Sequence, residues 1–281
     1  MYFRPNSLQD ALHVLADTRA TILAGGTDVF PALGDRPLAG PVLDISGLEE
    51  IKSIRVEEEH IVLGARTTWS ELIAASLPPC FDGLKAAARE IGSVQIQNQA
   101  TIAGNLCNAS PAADGVAALF ALDAEVVLAS RAGERTLRAA DFILGNRKTA
   151  RRPEELLVSI RVPRRLEGAV STFLKLGARR YLVISIVMVA ANLVLDADGA
   201  IREALVSVGS CSPVAARLAE LEGSLVGQTA RGGLGQMVTR EHLAQLSPID
   251  DVRATAAYRR DAALILVRRA LEDCARKALA R

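Results

Sequence analysis

The sequence predicts an α+β protein of more than one domain, and three observations point there. The chain has 281 residues, enough to bury more than one sizeable core. The stretch Pro163-Arg164-Arg165-Leu166-Glu167-Gly168 interrupts strand-like sequence and reads as a domain boundary. Beyond it the pattern is strands first and helices afterwards, which suggests an α+β layer domain.

The elements follow in order. Ser7 to Ala16 is a helix, with Ser7 at the cap and Asp10 three residues on. Thr21-Ile22-Leu23-Ala24 reads as a buried strand, and Val42-Leu43-Asp44 as a short one. Ile51–Val56 and His60–Leu63 alternate as a hairpin around Glu57-Glu58-Glu59. Thr68-Trp69-Ser70-Glu71 is a capping box that opens a helix to Ala75. Leu84 to Ile91 is an amphipathic helix, and Val116 to Leu122 an almost wholly apolar one. Glu125–Ala129 and Leu156–Val162 are strands. The second half reads as strands Thr172–Leu176 and Val183–Leu195, a turn at Asp196-Ala197-Asp198-Gly199, and strand Ala204–Val208. Helices are expected at Val214–Leu221, Arg231–Ala244 and Val252–Ala278.

Composition excludes several function classes. Half the residues are hydrophobic and the net charge is +1, which gives no hint of a nucleic-acid partner. No apolar run reaches the ~20 residues of a membrane span. Met1-Tyr2-Phe3-Arg4-Pro5 lacks the apolar core of a secretory signal. Cys80, Cys107, Cys211 and Cys274 are scattered, with no CxxC pair to build a zinc or iron–sulfur site. Reduced thiols and a cytoplasmic location are the expectation.

Two segments carry chemistry. Gly25-Gly26-Thr27-Asp28 follows a strand, and paired glycines let successive amides turn toward one anion. Thr101-Ile102-Ala103-Gly104-Asn105-Leu106-Cys107-Asn108-Ala109-Ser110-Pro111-Ala112-Ala113-Asp114 reads as a small-residue loop running into a helix. Ser110 is the expected cap, Pro111 suits the first helical position, and Asp114 falls in the first turn. Its Asn, Thr and Ser side chains need partners if buried. Two such loops suggest a pyrophosphate held from both sides. Of the basic clusters, Arg147-Lys148 is expected at the site, whereas Arg151-Arg152 and Arg179-Arg180 read as solvated surface. The three histidines read as structural. Gly232-Gly233-Leu234-Gly235 lacks the preceding strand of a dinucleotide fingerprint and reads as a helix-start turn.

Together the two loops resemble those of the FAD-binding subunit, or FAD domain, of the molybdenum hydroxylases, a family that includes xanthine dehydrogenase and aerobic carbon monoxide dehydrogenase. Further matches follow in order. Gly145-Asn146-Arg147-Lys148-Thr149 resembles the family's Gly-Tyr-Arg-Lys-Thr, and Pro153-Glu154-Glu155-Leu156-Leu157 the strand entry after it. Phe173-Leu174-Lys175 with Arg179-Arg180 is similar to the start of the C-terminal domain. Ser247-Pro248-Ile249-Asp250-Asp251-Val252-Arg253 with Tyr258-Arg259 is similar to the family's last helix. The likeness spans essentially the whole chain.

The resemblance implies a two-part FAD-binding fold of the vanillyl-alcohol-oxidase/PCMH type over residues 1–167, with subdomains of about 1–56 and 57–167. A C-terminal domain with a three-stranded sheet and helices would occupy 168–281. It implies FAD in this chain, with 2Fe-2S clusters on a small partner subunit and molybdopterin on a large one, the whole being a dimer of heterotrimers. Electrons would arrive from the 2Fe-2S subunit and leave for NAD, oxygen or a quinone. By the same resemblance the backbone from Ile22 and Leu23 through Ala24, Gly25, Gly26, Thr27 and Asp28 embraces the pyrophosphate. Thr101, Gly104, Asn105 and Asn108 line the diphosphate and flavin, with Ala100, Cys107, Ala113 and Leu157 beside them. Asp114 matches an aspartate that bonds the ribityl or adenosine end, and Ile96 leans on adenine or isoalloxazine. Lys175 matches a lysine near the pyrimidine edge, where an ammonium favours charge on the reduced ring.

Two positions depart from the family pattern. Tyr181-Leu182-Val183-Ile184-Ser185 has no acid where the family has an aspartate after Arg-Arg, and Asn146 replaces the family tyrosine. Tyr181 fits either a cover over the ring face or a place on the rim. Two other functions fit the same residues. One is a stand-alone flavin-dependent reductase or oxidase of the same fold, for which no catalytic acid can be named. The other is a non-catalytic nucleotide-binding assembly subunit. A covalently bound flavin is disfavoured; Cys107 is the nearest candidate for attachment. The organic substrate is not legible, because its site would lie on another chain.

Overall fold

The structure, a computed structural model, describes residues 1–280. The chain opens with a small parallel sheet. Strands β1 (Tyr2–Phe3), β2 (Thr21–Leu23) and β3 (Val42–Asp44) lie in the order β1-β3-β2, linked by helices α1 (Leu8–Asp17) and α2 (Val29–Leu33). Ser7 caps α1, its side chain accepting from the Asp10 amide. The Thr21–Leu23 strand is an edge strand with only Leu23 buried, not the buried strand its sequence suggests. The remaining edge lets Ile22 face a cleft.

A second, five-stranded antiparallel sheet is built from β4 (Ile54–Val56), β5 (His60–Gly64), β6 (Glu125–Ser130), β7 (Gly133–Arg138) and β10 (Leu156–Pro163). Its strand order is β4-β5-β10-β6-β7. Between β5 and β6 run α3 (Trp69–Ala74), α4 (Asp82–Glu90), α5 (Val94–Gln99), α6 (Ile102–Asn108) and α7 (Asp114–Ala121). The expected capping box is present: Thr68 accepts from the Glu71 amide, and the Glu71 side chain accepts from the Thr68 amide. After β7 come α8 (Ala139–Phe142) and a small ribbon of β8 (Ile143–Gly145) with β9 (Lys148–Thr149).

The third sheet is antiparallel, β11 (Val170–Leu176), β12 (Val187–Leu195), β13 (Ile201–Gly209) and β14 (Ala216–Arg217). Three long strands thus carry a two-residue fourth at the edge. Helix α9 (Ala219–Leu225) and the 24-residue α10 (Ala256–Leu279) complete the chain. Strand alternation divides this sheet between two cores. Val187, Val189, Ala191 and Leu193 pack with α10, while Met188, Ala190 and Val194 join the core of the first half. Both faces are therefore covered, which explains why β12 reads as one continuous apolar run. Asn192, buried on the inner face, donates from Nδ2 to the Ala121 carbonyl at the end of α7, 2.9 Å away.

Five local expectations need correction. Helix α6 occupies much of the stretch read as a loop, capped by Thr101. Ser110 caps no helix; it sits in the turn between α6 and α7, and α7 starts at Asp114 with Ala113 at its cap position. Residues Val183–Ile186 precede the strand, because Leu182 turns left-handed (φ 50°). Val214–Leu221 divides into β14 and the start of α9, and Arg231–Ala244 holds two short 3-10 turns, since Gly232 and Gly233 have positive φ.

Candidate functional site

Both glycine-bearing segments face one cleft of about 860 Å3, within the 300–1,000 Å3 usual for ligand sites. The C-terminal half closes it with Lys175, Val183 and Ile184. Seventeen of the eighteen residues expected at the cofactor line it; the exception is Leu23, which is turned into the protein.

The β2–α2 turn supplies the first wall. Gly26 has φ 71°, a left-handed conformation that glycine adopts without strain. Among the described residues no acceptor takes the amides of Gly25, Gly26, Thr27 or Asp28. Successive free amides at a glycine turn form a concave donor set for an anion. Gly25 is packed so closely on the end of α5 that a Cβ there would stand 1.9 Å from the Gln99 carbonyl oxygen.

Helix α6 supplies the second wall. Thr101 Oγ1 accepts from the Gly104 amide at 3.0 Å, so the cap leaves the first turn facing the cleft. Asn105 lines the cleft, and its Oδ1 has no partner among the described residues. A buried acceptor without a donor is costly, and a ligand's polar groups would relieve it. Asn108 accepts from the Arg147 guanidinium, and Arg147 is itself left-handed (φ 57°), its amide bonded to the Ala109 carbonyl.

At the floor, Asp114 meets Lys175. Alternation along β11 turns Ser171, Phe173 and Lys175 toward the first half, and the Lys175 ammonium lies 2.6 Å from Asp114 Oδ2. Both side chains are only 7% exposed. The Ser185 hydroxyl donates to Asp114 Oδ1, also at 2.6 Å. Burial pushes the Asp114 carboxyl above its ordinary range, and the adjacent ammonium opposes that rise.

The sequence reading missed several cleft residues. Glu90, Ile91 and Gly92 enter from the end of α4, and Trp69 from α3. Arg151 also lines the cleft, contrary to its expected place on solvated surface; its guanidinium is held by the carbonyls of Arg152, Pro153 and Glu155. Of the pair Arg147-Lys148, only Arg147 reaches the cleft. Tyr181 is 71% exposed and does not line it; the Arg180 guanidinium sits over its ring, 5.5 Å from the centroid. A second groove of about 670 Å3 lies along α10. Two of its charged groups serve structure: Glu272 accepts from the Gly233 and Gly235 amides, and Arg268 donates to the Val238 carbonyl. Among the described residues no His, Cys, Asp or Glu cluster is placed to hold a metal ion, and no helix is long and apolar enough to cross a membrane.

The free amides, the unpaired Asn105 oxygen and the cleft volume fit an elongated, phosphate-bearing ligand. Comparison with known proteins agrees. Residues 1–165 match the family described as "FAD binding domain in molybdopterin dehydrogenase", and residues 172–274 match "CO dehydrogenase flavoprotein C-terminal domain". The glyceraldehyde dehydrogenase medium chain of Sulfolobus acidocaldarius is 30% identical, covering 98% of each chain. The xanthine dehydrogenase FAD-binding subunit of Escherichia coli O157:H7 is 32% identical over 92% of this chain and 88% of the relative. A solved structure of carbon monoxide dehydrogenase from Hydrogenophaga pseudoflava, lacking the Mo-pyranopterin moiety, superposes with a TM-score of 0.88 at 28% identity, covering 99% of this chain and 97% of that one.

Proposed function

The chain belongs to the family of FAD-binding subunits of the molybdenum hydroxylases, and from that premise we propose that it relays electrons from a 2Fe-2S subunit to NAD, oxygen or a quinone. The observation that carries this reading is the meeting of the Gly25-Gly26 turn, α6 and the Asp114–Lys175 pair around one cleft. When bound there, FAD supplies the redox chemistry that no side chain here can perform alone.

The chain's own groups have distinct tasks. The amides of Gly25 to Asp28 receive the pyrophosphate, and α6, whose Ile102 and Gly104 amides are already bonded to Thr67 and Thr101, presents Ala103 and Asn105 from the other side of the cleft. Arg147 and Arg151 add positive charge along the same cleft. Asp114 accepts hydrogen bonds from ligand hydroxyl or ring N–H groups, and Lys175 favours negative charge on the ring. Val183 and Ile184 shield the cleft from water on the C-terminal side.

We assign the partners to the same premise: a small 2Fe-2S subunit and a large molybdopterin subunit, joined as a dimer of heterotrimers in the cytoplasm. Affinity purification of the tagged chain from its native cells, followed by sedimentation and cofactor analysis, tests the assignment. Two co-purifying partner subunits, with one FAD per copy of this chain, are expected. A chain that purifies alone and oxidises NAD(P)H unaided would establish the stand-alone reductase instead.

A further inference from the structure

The floor of the cleft has an unexplained member. Ser185 lies outside the cleft lining, yet it is fully buried and its hydroxyl reaches Asp114 Oδ1 at 2.6 Å. Asp114 thus has one donor on each carboxylate oxygen, Ser185 on Oδ1 and Lys175 on Oδ2. Ser185 ends an otherwise exposed strap: Tyr181, Leu182 and Ile184 are all more than half exposed.

The strap is pinned at this point by the segment preceding α10 and by the first turn of that helix. Arg253 donates to the Ser185 carbonyl at 3.4 Å, and Arg259 donates to the Ile186 carbonyl at 2.6 Å. Both guanidinium groups share Asp251. The Ile186 amide, in turn, bonds the Leu176 carbonyl at 2.7 Å, one residue beyond Lys175. The two partners of Asp114 therefore stand on the two ends of one pinned loop.

We propose that Ser185 is a positioning residue that holds the Asp114 carboxylate ionised and aligned on Lys175, so that the Asp251–Arg259 segment governs the charge a flavin meets at the cleft floor. The inference rests on the proposed FAD site. With Asp114 ionised, its charge offsets that of Lys175. With Asp114 protonated, the ammonium is unbalanced and the reduced, negatively charged ring is favoured. The other charged groups facing Asp114 are few: Glu90 of α4 opposes its ionisation, while Lys175 of β11 also donates to the Glu90 carbonyl at 3.4 Å. Arg147 and Arg151 line the same cleft from the 145–151 segment.

The test is the midpoint potential of bound FAD as a function of pH in the purified complex, for wild type, Ser185→Ala, Ser185→Thr and Asp114→Asn. A hydrogen bond to a charged group contributes about one to two pH units of preference for the ionised form. The Ser185→Ala curve should follow wild type at high pH and reach the raised Asp114→Asn curve on acidification. Its crossover should lie about one to two pH units above that of wild type. Ser185→Thr, which keeps the hydroxyl, should restore the wild-type profile. Carboxyl NMR of the flavin-free chain, assigned with Asp114→Asn, should show the same upward move in the Asp114 titration. If Ser185→Ala does not fold, Ser185→Cys, a weak donor of similar size, must move the crossover in the same direction. Superimposable profiles for wild type and the Ala or Cys variant would overturn the inference while leaving the FAD site intact. Failure of the wild type to hold FAD would overturn the site itself.

Discussion

The carbonyl oxygen of Gln99 occupies the place where a side chain on Gly25 would begin, 1.9 Å from an ideal Cβ. The glycine turn and the end of α5 are thus in direct backbone contact, and this contact fixes one edge of the cleft. A methyl group at residue 25 must separate two backbone segments, since no flexible side chain stands in the way. Overpacking of this kind costs about 1–3 kcal/mol. Gly25→Ala should weaken FAD binding by about 10-fold or more, measured by flavin fluorescence during reconstitution. Gly34→Ala, at a left-handed turn with open space around it, should lower stability without changing flavin affinity.

Two further glycines of the site, Gly26 and Gly104, should respond differently to size. At Gly26 a side chain is strained by the positive φ and strikes the Phe30 ring at 2.5 Å. Gly26→Val should therefore lose FAD. At Gly104 a Cβ meets only Thr101 Oγ1, at 2.8 Å. Gly104→Ala should disturb that cap at a cost of about 1 kcal/mol and keep its flavin, whereas Gly104→Val fills the first turn of α6 and should lose it. The flavin-to-protein absorbance ratio of each purified variant decides the matter.

These contacts also explain what the sequence revealed. The Gly25-Gly26 turn was legible because glycines after a strand have few other uses, and the Thr68–Glu71 box because its residue types and spacing define it. Helix α6 was hidden by Gly104, Asn105 and Asn108, which are poor helix formers individually; Thr101 as its cap was the available signal. Apolar Val183 and Ile184 imitated strand because their pattern is local, whereas Leu182 turns left-handed before them and Ser185 bonds Asp114, 71 residues away. The polar strand Gly133–Arg138 left no hydrophobic trace because it lies at a sheet edge. Arg151 looked like a surface charge because the carbonyls that bend it to the cleft carry no residue-type signature.

Lys175→Met leaves Asp114 buried without its cation. Its carboxyl, already raised by burial, should rise further. A carboxyl whose folded pKa exceeds its unfolded value destabilises the fold at high pH, and that penalty disappears as pH falls below the unfolded value. The stability loss of Lys175→Met should therefore be larger at pH 8 than at pH 5, by urea denaturation at both pH values. The bound flavin should also become harder to reduce, since the ammonium that favours the reduced ring is gone.

The last prediction concerns Arg259, which is 1% exposed and donates to Asp251, the Ile186 carbonyl and the Ser210 carbonyl. Removing one partner of a buried pair costs about 3–5 kcal/mol, because the remaining groups stay desolvated. Arg259→Met should lose stability of that order, with the Ile186 amide and its neighbours exchanging faster with solvent deuterium. Arg253, Arg259 and the backbone amides of Arg253 and Ala254 hold the Asp251 carboxyl well below the ordinary range. The sign follows from linkage: a depressed folded pKa contributes stability fully present above the unfolded value, about 3.9, and lost as pH falls toward the folded one. The stability difference between wild type and Asp251→Asn should be constant at neutral pH and narrow below about pH 4. A difference that widens on acidification would show that Asp251 is not the acid-sensitive anchor of the strap.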